Sequence, residues 1–310
     1  MTDIAPQRRS VRLPWGAVSL LEWQAEDTAT AAERPTVVLL HGAGADSAEL
    51  SWSSLSRTRE QDRGLGPELA AAGFRVIAPD HPGFGHSGAG TWPVDTEQYV
   101  DYLGELIAAV GLDHYVLGGL SFGGALALGH ALRRPEGLDS LVLLAPHGIQ
   151  PGMGHGAAAR PARIATRAAV ASGALRGLSR LTARSERLTT ASLAGVFRHP
   201  QRMSPALQRA ALQAVRDSNG LEGSSRWQRS EVTWDGYATD HTPRLHEIAV
   251  PVLLVNGADD RAVPVARAAV AAERLPHARF EVVADAGHWV QRERPEIVLP
   301  LVRSWLEEDS

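Results

Sequence analysis

Ser121 stands in the run Gly119-Leu120-Ser121-Phe122-Gly123, directly after the apolar stretch Tyr115-Val116-Leu117 and ahead of Ala125 to Leu132, which has helical spacing. A serine between two glycines at a strand-to-helix turn is a candidate nucleophile. Glycines two positions either side carry no Cβ to collide with the neighbouring strand and helix, so the chain can turn sharply and leave the hydroxyl exposed. The helix behind it points its positive end at charge developing on an attacked carbonyl oxygen. A serine hydroxyl also needs a base. His288, in Gly287-His288-Trp289, follows the apolar run Phe280 to Val283 on a loop and is the last histidine of the chain. A basic histidine needs a carboxylate to fix its tautomer and stabilise its cation. Gly257-Ala258-Asp259-Asp260-Arg261-Ala262-Val263-Pro264, after the run Val252 to Val255, offers Asp259 and Asp260. Residue chemistry permits either, the other serving as a helix cap or a partner of Arg261. His41-Gly42-Ala43-Gly44 ends a further apolar run, Thr36 to Leu40. A turn there can aim the Ala43 N–H at the point reached by the Phe122 N–H, and two such donors hold an oxyanion. His147 closes another strand and is a candidate substrate contact, as are Gly42 and Trp289.

Composition removes the competing chemistries. The chain of 310 residues has no cysteine, and its 31 basic residues are all arginine. Thiol nucleophiles, disulfides, thiolate metal sites, Schiff-base lysines and a P-loop lysine are excluded. The 12 histidines show no metal-ligand spacing, so no metal and no cofactor is expected. His81, His86, His114, His130, His199, His241, His246 and His277 read as surface or turn residues. A net charge of −4 and the lack of a binding motif argue against nucleic acid. No apolar run reaches the ~20 residues that span a bilayer. Arg8-Arg9 lacks the apolar stretch of an export signal, so a soluble, cytoplasmic protein acting on a small molecule is expected.

The elements that must position these residues alternate strand and helix. Val11 to Trp23 reads as a hairpin around Trp15-Gly16. Thr36 to Leu40, Phe74 to Ala78, Tyr115 to Leu117, Leu141 to Leu144, Val252 to Val255 and Phe280 to Val283 read as strands. Asp95 to Val110, Leu126 to Leu132, Arg267 to Leu275 and Ile297 to Leu306 read as helices. This is the α/β class, a mostly parallel central sheet with helices on both faces. The rhythm breaks from His147 to about Leu245, where alanine, arginine and leucine dominate and several short helices are expected, one within the Ala-rich stretch 157–174. That segment holds 14 arginines against six acids, an excess of +8 set against −12 elsewhere. Such a split points to docking of one segment on the other or to a surface that meets anions.

The order serine, aspartate, histidine, each after a strand, resembles the α/β-hydrolase family over residues 11–146 and 247–306. The glycine-flanked serine is similar to that family's nucleophile elbow. His41-Gly42, the loop Asp80 to Ser87, the Asp259-Asp260 loop and Gly287-His288 also look like family positions. The family's spacing from glycine to acid to proline implies Asp260 rather than Asp259, and its glycine-rich 80–87 loop turns the chain beside the site. Residues 1–146 and 247–310 would form the core, and 147–246 a helical cap that roofs the site and sets substrate choice. A serine nucleophile argues against the dehalogenases and epoxide hydrolases of this fold, which carry aspartate there. The resemblance implies a Ser121–His288–Asp260 triad, with the Ala43 and Phe122 N–H groups as oxyanion hole. The expected reaction is hydrolysis of a small-to-medium carboxylic ester or lactone, and the arginine excess favours an anionic substrate. His41-Gly42-Ala43-Gly44 with the following Ser47 and Trp52, and Gly287-His288-Trp289, also resemble carbon–carbon bond hydrolases of β-diketone-type substrates, although those commonly have asparagine where Leu120 stands. Some relatives of this fold bind a ligand without turning it over.

Overall fold

The computed structural model describes residues 4–25, 34–56, 59–88, 93–152, 160–174, 177, 185–193, 195–217 and 219–308. Eight strands form one sheet: β1 (Gln7–Leu13), β2 (Gly16–Trp23), β3 (Thr36–Leu40), β4 (Val76–Pro79), β5 (Tyr115–Leu120), β6 (Leu138–Leu144), β7 (Val252–Gly257) and β8 (Ala278–Val283). Their order is β1-β2-β4-β3-β5-β6-β7-β8. The β1–β2 hairpin and the β2–β4 pair are antiparallel, and every pair from β4 through β8 is parallel.

Parallel strands buried on both faces need helices on both sides, and the side chains alternate accordingly. Val38 and Leu40 enter one core, with Leu103 and Leu106 of α3 (Thr96–Val110), Leu126 of α4 (Phe122–Ala131) and Ala268 and Ala271 of α9 (Val265–Arg274). Val37 and Leu39 enter the other, with Ala48 of α1 (Ala48–Trp52), Leu69 of α2 (Leu65–Ala71) and Val302 and Trp305 of α11 (Pro295–Glu308). Asp95 starts α3 by accepting the Gln98 N–H at 2.9 Å, and Gly111, at φ 73°, ends it in the left-handed conformation.

Between β6 and β7 the described residues hold four helices: α5 (Arg160–Ala171), α6 (Glu186–Leu193), α7 (Pro205–Asp217) and α8 (Asn219–Glu231). The expected helix in 157–174 is α5, and the residues before Arg160 lie outside the described ones. Several expected elements differ in extent: the hairpin begins at Gln7 rather than Val11, β4 spans Val76–Pro79 rather than Phe74 to Ala78, and β6 begins at Leu138 rather than Leu141. β5 runs on through Leu120, and α4 begins at Phe122 rather than Ala125, because Gly118 and Gly119 continue the β3 and β6 ladders that periodicity cannot see. Three histidines expected at the surface or in turns are buried. His81 packs its ring 4.1 Å from His41, and its Nε2 lies 3.1 Å from the His41 carbonyl. His130 lies 2.8 Å from the Tyr115 hydroxyl, and His241 Nε2 lies 3.2 Å from the Ala125 carbonyl. Each finds a polar partner that a neutral imidazole can use, which makes burial tolerable.

Candidate active site

β5 ends at Leu120 and α4 starts at Phe122, so Ser121 alone makes the turn, at φ 50° and ψ −112°. For a non-glycine residue this backbone costs on the order of 1–3 kcal/mol and persists only when its surroundings enforce it. Here the Ser121 N–H donates to Leu144 O at 3.0 Å, and the Ser121 carbonyl accepts the His147 N–H at 2.8 Å. The flanking glycines are required by close approach. A Cβ on Gly123 would lie 2.2 Å from Leu40 O, and one on Gly119 would lie 2.5 Å from the Gly123 carbonyl. The sequence-based reason for both is borne out.

The acid and the histidine come from the ends of β7 and β8. Asp260 Oδ2 lies 2.8 Å from His288 Nδ1, and both residues are buried. Asp260 Oδ1 accepts the Ala262 N–H at 2.8 Å and the Val263 N–H at 3.0 Å, which fixes the carboxylate plane. A carboxylate facing Nδ1 places the proton there and leaves Nε2 as the basic nitrogen. Asp259 is half exposed and pairs with Arg198 at 3.4 Å, not with Arg261 as the sequence suggested. Of the two aspartates, the structure joins Asp260 to the histidine.

The loop after β3 brings Gly42 to Ser121: a Cβ on Gly42 would stand 3.7 Å from Ser121 Cβ. Asp46 holds this loop by accepting the Gly42 N–H at 2.8 Å, the Ser47 N–H at 2.8 Å and the Ser51 hydroxyl. Burial pushes the Asp46 carboxyl above its ordinary range, against these bonds. The Gly44 N–H donates to Ser224 Oγ of α8 at 2.9 Å, tying the insert to the loop. Ala43 N–H and Phe122 N–H have no protein partner among the described residues, as an oxyanion hole requires. The 80–87 loop is structural, as expected: buried Asp80 accepts the Ala48 and His86 N–H groups, each at 2.9 Å.

The other candidates are packed. His147 Nε2 lies 2.7 Å from Glu231 Oε1 of α8, and its ring stands edge-on to Trp227 and Tyr237. Glu231 also accepts the Thr239 hydroxyl, at 2.6 Å, and its carboxyl is held below the ordinary range by His147 and Thr239, against the opposing effect of burial. Trp289 is buried edge-on against Phe197 of the insert at 5.8 Å. Leu120 is fully buried, and its side chain carries no polar atom. A cavity of about 670 Å³ opens between the loop and the insert, lined by Asp46, Ser47, Leu50, His86, Ala210 and Gln213. Asp46 and Ser224 carry no signature in the sequence, because each acts on backbone N–H groups of the loop.

A family model for the alpha/beta hydrolase fold matches residues 35–295. The chain is 30% identical over 276 residues to a 2-hydroxy-6-oxo-6-phenylhexa-2,4-dienoate hydrolase of Comamonas testosteroni, covering 86% of this chain and 85% of that protein. It is 28% identical to a 2-hydroxymuconate semialdehyde hydrolase of Pseudomonas putida, covering 87% and 86%. A serine hydrolase involved in carbazole degradation superposes with a TM-score of 0.76 at 20% identity, covering 98% of this chain and all of the other. A meta-cleavage product hydrolase of Pseudomonas fluorescens superposes at 0.73 with 21% identity, covering 99% of each. At these identities the superpositions establish a shared fold.

Proposed function

The chain belongs to the alpha/beta hydrolase family, and on that premise we propose that it is a serine hydrolase of a small-to-medium carboxylic ester or lactone. The observation that carries the reading is the buried Asp260–His288 pair, which follows β7 and β8 at the same carboxyl edge of the parallel sheet as the strained turn at Ser121 after β5. Ser121 Oγ attacks the carbonyl carbon as His288 Nε2 takes its proton. The tetrahedral oxyanion accepts from the Ala43 and Phe122 N–H groups. Its collapse expels the alcohol, which leaves with the proton from His288. Water then repeats the sequence on the acyl-enzyme and frees the acid and Ser121. Asp260 holds the Nδ1–H tautomer and stabilises the imidazolium. The inserted helices act as a cap; the cavity beside them is lined by residues of the 46–55 and 85–86 segments and of α7, and not by Ser121, Ala43, Phe122, Asp260 or His288. The arginine excess of the insert, beyond Arg198 and Arg202 that pair with Asp259 and Asp285, is the basis for a carboxylate on the substrate. A matched acid and methyl ester, compared in kcat/KM across salt concentration, tests that preference.

A second reading is supported by the relatives, which are hydrolases of 2-hydroxy-6-oxo-dienoates and a hydroxymuconate semialdehyde. In that chemistry the leaving group is carbon, so it must depart as a stabilised dienolate. The absence of a polar side chain at buried Leu120 favours the ester, which needs only the two backbone donors. The deciding experiment measures kcat/KM for p-nitrophenyl butyrate and for a 2-hydroxy-6-oxo-dienoate, whose conjugation makes its loss visible. The ester reading expects the first to exceed the second. The reverse order assigns carbon–carbon cleavage, and labelling by a fluorophosphonate with turnover of neither assigns a ligand-binding protein.

A further inference from the structure

The histidine loop is bonded to the insert as well as to the sheet. The His288 N–H donates to Val196 O at 2.8 Å, and the Trp289 N–H to the same oxygen at 3.3 Å. The fit is close: a Cβ on Gly287 would lie 2.7 Å from Arg198 N and 2.8 Å from Val196 O. Behind this contact sits Glu293, the last residue of α10 (Val290–Glu293), with its side chain buried. One carboxylate oxygen accepts the Gly287 N–H at 2.8 Å and the Arg198 N–H at 2.9 Å; the other accepts the His199 N–H at 2.6 Å. Asp285, whose own backbone stands at φ 58°, adds an outer clasp to His199 and Arg202.

We propose that Glu293 is a positioning residue for His288, joining the histidine loop and insert residues 196–199 into one unit so that the base is in register only while the insert is docked. Three N–H donors converge on one buried carboxylate, from both sides of the interface. A buried carboxylate persists when donors of this kind satisfy it, and its bonds are about twice as strong as neutral ones. The donors are main-chain groups, so they fix the path of the backbone on either side of the imidazole rather than any side-chain rotamer. The site on the other side of Ser121 has the corresponding device in Asp46, but that one is internal to the core, whereas Glu293 spans core and insert. Movement of 196–199 away from the core would therefore carry the His288 N–H with it or break its bond. Misplacement of a catalytic group by about 1 Å costs on the order of 10²-fold.

The inference rests on the triad reading, and the experiment separates the two. Glu293→Gln keeps shape and volume but sets an NH2 against at least one N–H donor. Ester turnover is measured for Glu293→Gln alone and in a His288→Ala background, with thermal denaturation as a fold control. Glu293→Asp, which keeps the charge and shortens the arm, is measured in parallel should the glutamine variant fail to fold. The expected result is a 10- to 100-fold lower kcat with KM within about 3-fold of wild type, and no further loss when His288 is already alanine. Folded variants with wild-type kcat, or a loss of equal size in both backgrounds, would overturn the proposal while leaving the triad intact. Full activity in His288→Ala itself would instead overturn the triad.

Discussion

Asp260→Asn removes one charge and almost no volume, and the surrounding bonds dictate how the new amide must sit. Oδ1 accepts two backbone N–H groups, from Ala262 and Val263. An NH2 there would oppose both donors, so the asparagine carbonyl takes that place and the NH2 faces His288 Nδ1. The imidazole then turns its Nδ1 lone pair to the amide and carries its proton on Nε2. It can no longer accept the Ser121 proton. Where other serine triads suffer this tautomer reversal, kcat falls about 10⁴-fold, and about 5 kcal/mol of barrier corresponds to that loss. Asp259→Asn is the control one residue away. Its partner Arg198 is half exposed, and such a pair contributes about 0–1 kcal/mol, so its turnover should change by less than about 5-fold. Steady-state ester hydrolysis at pH 7, with denaturation curves for both variants, decides the matter. A folded Asp260→Asn enzyme within 10-fold of wild type would refute the tautomer argument, and a larger loss at Asp259 would reassign the acid.

Ser121→Ala should lose at least about 10⁴-fold in kcat, while Ser121→Gly, equally inactive, should be about 1 kcal/mol more stable than the alanine variant because glycine accepts φ 50° without strain; chemical denaturation of the pair measures the difference. Gly123→Ala would force a Cβ to within 2.2 Å of Leu40 O, so the turn must shift; about 3 kcal/mol of stability and at least 10²-fold in kcat should go together, and a folded, active variant would count against the close approach. Burial pushes the His130 pKa down to about 4, below the roughly 6.5 of an unfolded histidine. The unfolded chain therefore takes up this proton first, and stability contributed by neutral His130 is lost as pH falls from about 6.5 towards 4. Between pH 7 and pH 5 that amounts to about 2 kcal/mol, and urea titrations should find it in wild type and not in His130→Gln.

Legibility in the sequence followed how far the cause shows as residue type. The turn at Ser121 is readable because both collisions are answered by residue type, glycine, whether the neighbour is local, as Gly123 is to Gly119, or remote, as Leu40 is to Gly123. The strands were readable because buried parallel strands are short apolar runs. Asp260 could be separated from Asp259 only by a family spacing, since the choice depends on the Ala262 and Val263 N–H groups closing the loop around one carboxylate. The arginine excess of the insert was visible, but not that Arg198 and Arg202 meet Asp259 and Asp285 of the core. The burial of His81, His130 and His241 is not legible because it depends on a single polar partner each, and those partners are the Tyr115 hydroxyl and the His41 and Ala125 carbonyls. The Glu293 contacts were out of reach for the same reason: its insert donors lie 94 and 95 residues away and are main-chain N–H groups.

The central claim is that Ser121 forms a covalent acyl-enzyme. Acid quenching of the enzyme during turnover of p-nitrophenyl butyrate, followed by peptide mass spectrometry, tests it directly. The account predicts a butyryl group on Ser121 alone, accumulating when His288 is intact and absent in Ser121→Ala. Turnover with the acyl group on another residue, or undiminished turnover in Ser121→Ala, would contradict it.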